Sequence, residues 1–68
     1  MNILLIGSGG REHALAFGLH ASPSTHRLYA FPGNPGMRGI ATIVDSLSLN
    51  DSSTITAFCH HNAIDLVI

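Results

Sequence analysis

The sequence has no lysine and no tryptophan, and only three arginines and one cysteine in 68 residues. Each scarcity excludes something. With Cys59 as its single thiol, the chain cannot form an internal disulfide, which fits a reducing compartment and a cytoplasmic protein. Three arginines against four acidic residues leave a net charge of −1. No run of basic residues stands ready to neutralise phosphodiesters, so nucleic acid is not an expected partner. Nor is a membrane, because the longest apolar run falls far short of the roughly 20 residues that cross a bilayer. No basic segment precedes the first apolar residues and glycines interrupt them at once, unlike a signal peptide. Charged residues make up only 10% of the chain and hydrophobic ones 46%, a core-like composition that suggests part of the surface is covered by something else. A chain this short makes one domain at most and buries little core.

What is there centres on the first thirteen residues. Ile3 to Ile6 is an unbroken apolar run, too short for a helix and rich in branched side chains. That pattern predicts a strand buried on both faces, as in parallel sheets. Gly7-Ser8-Gly9-Gly10 follows and lets the chain turn sharply while leaving its amides open to close approach. A helix is predicted from about Gly10 or Arg11 to Ala21, with the Ser8 hydroxyl as its cap and Glu12 suited to the first turn. Strand, glycine turn and helix N-terminus together make an anion site, because free N–H groups and the positive helix end converge there. The same pattern also serves as a tight turn with no ligand.

Along that helix Ala14, Gly18 and Ala21 form a small-residue stripe beside Leu15 and Leu19, expected to bring the helix close against the sheet. Ser22-Pro23 ends it. A second strand is predicted over about Arg27 to Phe31, which completes a βαβ unit. Pro32-Gly33-Asn34-Pro35-Gly36 is a turn after that strand, on the same sheet edge as the Gly7 loop, where open α/β sheets bind ligands. Met37 to Ile40 is irregular or one short helical turn. Thr42-Ile43-Val44 reads as a third strand. Asn50 or Asp51 should cap a second helix carrying Ile55, Phe58 and Cys59 at i, i+3 and i+4, with Asn62 as its left-handed stop. Asp65 to Ile68 begins another buried strand that calls for continuation, so Ile68 is expected to be a truncation point. The fold class is therefore α/β, a Rossmann-like open parallel sheet, truncated.

Strand, glycine turn and helix also fit a nicotinamide dinucleotide module of an oxidoreductase. Against that, Glu12 stands where the dinucleotide fingerprint has its third glycine, and no acid follows strand two to hold a ribose. Gly7-Ser8-Gly9-Gly10-Arg11-Glu12-His13-Ala14-Leu15, followed by Phe31-Pro32-Gly33-Asn34-Pro35-Gly36, instead resembles the opening of the phosphoribosylamine–glycine ligase family, also called glycinamide ribonucleotide synthetase. The resemblance covers essentially all 68 residues. Pro35 departs from the small residue usual in the turn, Asn62-Ala63 from the glycine usual before Ile64-Asp65, and His60-His61 from charged residues.

The resemblance implies an enzyme of purine (IMP) synthesis that joins glycine to 5-phosphoribosylamine with ATP, through a glycyl phosphate. It implies that residues 1–68 are an incomplete N-terminal substrate-binding domain preceding an ATP-grasp domain absent from this chain. ATP and magnesium or manganese would then be bound outside it, glycine would be met through the missing domains, and the fragment alone would be inactive. The substrate-binding candidates are Gly7, Ser8, Gly9, Gly10, Arg11, Glu12, Pro32, Gly33 and Asn34. The glycine loop offers amides to a sugar phosphate. Arg11 either neutralises that phosphate or is simply solvated. Glu12 either orients a ribose hydroxyl or the substrate amine, or compensates the helix dipole. Pro32, Gly33 and Asn34 either floor the cleft, with Asn34 on the ribose, or form an ordinary turn. His13 is expected to pack against neighbouring loops rather than act as a base. Cys59-His60-His61 are consecutive on a helix and point apart, so no metal site is expected there. His20 and His26 are expected at the surface. A non-catalytic interaction module is a further alternative, motivated by the low charged fraction.

Overall fold

The computed structural model describes residues 1–68. Four strands form one sheet: β1 (Asn2–Gly7), β2 (Arg27–Pro32), β3 (Thr42–Ile43) and β4 (Leu66–Val67). Two helices, α1 (Gly10–Ala21) and α2 (Ser52–His61), and a short 3-10 turn at Pro35–Met37 connect them. The spatial order is β3-β2-β1-β4, and every pairing is parallel. This is the expected Rossmann-like α/β architecture.

The apolar run of β1 explains why the sheet has two cores. Alternate side chains of a strand point to opposite faces. Ile3 and Leu5 join Leu28, Ala30, Ala16 and Met37 on the face covered by α1. Leu4, with Phe31 and Val44, packs on the other face against Ile55, Phe58 and Cys59 of α2. On that face the Tyr29 and Phe58 rings meet edge to face, 5.2 Å between centroids.

The helix phase differs from the expected one. Ala16 is the fully buried residue of α1, with Leu19 half-buried beside it, while Ala14, Gly18 and Ala21 are exposed and Leu15 is largely so. A methyl group added at Gly18 would meet nothing. The small-residue stripe therefore faces away from the sheet, and the close approach comes from Ala16 alone. Glu12, His13 and Ala16 lie on the inner side instead. The N-cap is Gly9, and the Ser8 hydroxyl caps nothing.

Asp51 caps α2 as expected, its Oδ1 accepting from the Ser53 N–H at 3.1 Å. The left-handed stop lies one residue beyond Asn62, at Ala63, with φ 52°. Asn62 keeps a negative φ because its amide Nδ2 donates to the Phe58 carbonyl at 3.0 Å. The last strand forms, but its side chains are not buried: Leu66, Val67 and Ile68 are between 40% and 46% exposed. It is the edge strand beside β1, tied by the Ile6 N–H to the Ile68 carbonyl and by Asp65, which exchanges bonds with Asn2. No helix is long and apolar enough to cross a membrane.

Candidate functional site

In parallel sheets the chain leaves each strand at the same edge, and here β1 and β2 leave it side by side. Their ends pair in register, Gly7 opposite Pro32. The connection from β1 runs to β2 on one side, and β4 pairs on the other, so the sheet order reverses at β1. The carboxyl end of such a strand borders the crevice where open α/β sheets take ligands. The Gly7–Gly10 loop lies there.

Two hydrogen bonds join this loop to the next one. The Gly33 N–H donates to the Gly7 carbonyl at 3.0 Å, and the Asn34 Nδ2 donates to the Ser8 carbonyl at 2.9 Å. The Asn34 Oδ1 in turn accepts from the Gly36 N–H at 2.9 Å, which caps the 3-10 turn. The expected juxtaposition of the two loops is thus made by Asn34 itself. From α1, the His13 ring closes against Gly36, where an added Cβ would lie 2.6 Å from Cε1. His13 is a packing residue under the second loop, as its helix position suggests.

Two glycines are required by backbone conformation. Gly7 has φ 148° and Gly33 has φ 66°, both in regions that side chains disfavour. At Gly33 a Cβ would also press on Ile43 Cδ1 at 2.7 Å. At Gly7 the obstacle is Glu12, whose Oε1 would stand 2.8 Å from the added carbon. Glu12 folds back over the loop, and its Oε1 accepts from the Gly9 N–H at 3.0 Å. This is the reciprocal half of a capping box, with glycine in place of the usual hydroxyl residue.

That carboxylate changes the electrostatics of the loop. The helix N-terminus contributes about half a positive charge. The full negative charge of Glu12 outweighs it, and Glu12 already takes one of the amides an anion would use. Gly10 and Arg11 keep amides with no acceptor in the chain. With the exposed Arg11 guanidinium turned in, the balance returns to roughly half a positive charge. The loop thus leaves the Gly10 and Arg11 amides free beside the Glu12 carboxylate. Sequence reasoning named every one of these residues but missed the Glu12 fold-back and the Asn34 bridge. The spacing of Glu12 three residues after Gly9 is the signal for the first. Asn34-Pro35-Gly36, an asparagine opening a turn, is the signal for the second.

Of the others, Ser8 and Pro32 are exposed and Gly10 borders open space. Cys59 turns into the core against α2's face of the sheet, while His60 and His61 are exposed. No group of three or more His, Cys, Asp or Glu side chains is gathered as a metal site would need.

Comparison with known proteins agrees with this architecture. The family model described as phosphoribosylglycinamide synthetase, N domain, matches residues 1–68. The chain is similar to a phosphoribosylamine–glycine ligase of Mesorhizobium japonicum, at 54% identity over 68 residues, all of this chain and 16% of that protein. It is 53% identical over the same span to the protein of that name from Agrobacterium fabrum, again 16% of its length. A trifunctional purine biosynthetic protein adenosine-3 of Chironomus tentans is 43% identical over 70 residues, covering 97% of this chain and 5% of that protein.

Proposed function

The chain belongs to the phosphoribosylglycinamide synthetase N-domain family, and from that membership we propose that it is the N-terminal part of a purine-synthesis ligase. The reaction joins glycine to 5-phosphoribosylamine at the expense of ATP. The observation that carries the reading is the family match along the whole chain, which includes the glycine loop and the Pro32–Gly36 turn. The chain spans 16% of the length of the first ligases it matches. The ATP-grasp region, with ATP and magnesium or manganese, belongs to the remainder, as does the glycine site. On this reading the enzyme is cytoplasmic, and residues 1–68 alone are inactive.

ATP, when bound, supplies the driving force for amide formation. What this chain contributes is position. Gly7, Ser8, Gly9 and Gly10 shape the loop, and the amides of Gly10 and Arg11 face the 5-phosphate. The Arg11 guanidinium offsets the Glu12 charge, without which a phosphate dianion would be repelled. Glu12 holds the loop through Gly9 and presents its second oxygen to a ribose hydroxyl or to the amine. Pro32, Gly33 and Asn34 floor the cleft, and Asn34 fixes the loop-to-loop distance.

The test is ADP release by the full-length protein. Release that depends on both glycine and phosphoribosylamine is expected, and release indifferent to either substrate would overturn the reading. A fluorescence titration with reduced nicotinamide cofactor should show no saturable binding; saturation would restore the dinucleotide alternative.

A further inference from the structure

The largest cavity in the chain, about 480 Å3, lies away from the glycine loop. It opens at the amino ends of β2 and β3, the opposite edge of the sheet. The parallel register explains what gathers there. Tyr29 pairs with Thr42, so the residues leading into β3 run beside the start of β2. This brings Arg38 and Gly39 next to His26 and Arg27, and the last turn of α1 adds His20. Three segments that show no basic run in the sequence thus converge two of the chain's three arginines and two of its five histidines on one cavity.

No aspartate or glutamate borders it. Arg27 and Arg38 both line it and are both exposed, and the Gly39 amide has no acceptor in the chain. A cleft lined by charges of one sign focuses its field and concentrates the opposite ion. Guanidinium groups bind phosphate oxygens in pairs of hydrogen bonds. The volume suits a small molecule rather than a bare ion, within the roughly 300–1,000 Å3 typical of such sites. We propose that this cavity is a second anion site, binding a phosphate group through Arg27 and Arg38. It does not depend on the function proposed for the glycine loop, because the two lie at opposite ends of the strands.

Arginine-specific labelling with phenylglyoxal, read residue by residue by mass spectrometry, tests this in the full-length protein. Inorganic phosphate is compared with sodium chloride at the same ionic strength, so that general screening cancels. Phosphate should slow labelling of both Arg27 and Arg38. In Arg38→Gln, the phosphate concentration that half-protects Arg27 should rise about tenfold, the loss of one charge-assisted contact. Ribose 5-phosphate protecting at lower concentration than inorganic phosphate would assign the cavity to a phosphate ester, and the reverse order to the free anion. Equal rates in phosphate and chloride would overturn the proposal. So would protection confined to Arg11, or two arginines that react in neither buffer and are therefore covered.

Discussion

At the scale of single residues, the loop pair turns on side chains with two jobs each. Asn34 donates to one loop and accepts from its own turn, so its two bonds are separable. Asn34→Asp keeps the acceptor for the Gly36 N–H but sets a carboxylate oxygen against the Ser8 carbonyl. It should loosen the loop pair and, if the proposed function holds, raise KM for phosphoribosylamine about tenfold in the full-length protein, with KM for glycine unchanged, as loss of one hydrogen bond plus repulsion implies. Initial-rate kinetics with each substrate varied decide this; an equal rise in both constants would mean general damage. Arg11→Gln should act on the same constant, because it leaves the Glu12 charge unopposed beside the helix end. Ala63 is a different case. It sits at φ 52°, where an alanine costs about 1–2 kcal/mol and a glycine almost nothing. Glycine also gains freedom in the unfolded chain, which offsets part of the gain. Ala63→Gly should therefore stabilise by about 0.5–1 kcal/mol, read as a higher denaturant midpoint at unchanged slope. No shift would mean that the Asn2 bonds to the Asn62 and Ala63 carbonyls already hold this turn.

At the scale of elements, the strands were the most legible. Ile3–Ile6 and Leu28–Phe31 carry enough branched and aromatic residues to declare themselves, and the parallel arrangement follows from burial on both faces. Their ends were legible too, because glycine and proline punctuate them. What the sequence hid was rotation. At about 100° per residue, the Ala14-Gly18-Ala21 stripe and the Ala16-Leu19 stripe lie on nearly opposite sides of the helix, and both are apolar or small. The structure turns the second to the sheet, with Ala16 fully buried and Leu19 packed beside it. The site was legible as a list of residues and illegible as a geometry, since a bridge such as Asn34 to Ser8 joins positions 26 apart. The cap of α2 was legible in both respects. Asp51 accepts from the Ser53 amide and hydroxyl, so Asp51→Ala should cost about 1 kcal/mol, read by chemical denaturation.

At the scale of the whole molecule, the two cores are thin. Only nine of 68 residues are buried, and α2 contributes none of them. Ile55, Phe58 and Cys59 touch the second core but are only partly buried. Phe17 on α1 and Leu49 before α2 stand largely in solvent, and the three residues from Leu66 are exposed as well. Small domains have little margin between burial and chain entropy, and here much apolar area is left unburied. The α1 face holds six buried residues and the α2 face three, so the second core should fail first. Native-state hydrogen exchange on the isolated 68 residues should find the amides of α2 and β4 opening at lower free energy than those of β1 and β2. A hydrophobic dye should bind at the same denaturant concentration that opens α2, before the central strands are lost. If all amides instead exchanged through one global opening, the two faces would be a single cooperative unit. The apolar surface around α2 and β4 would then be no weakness of this fold.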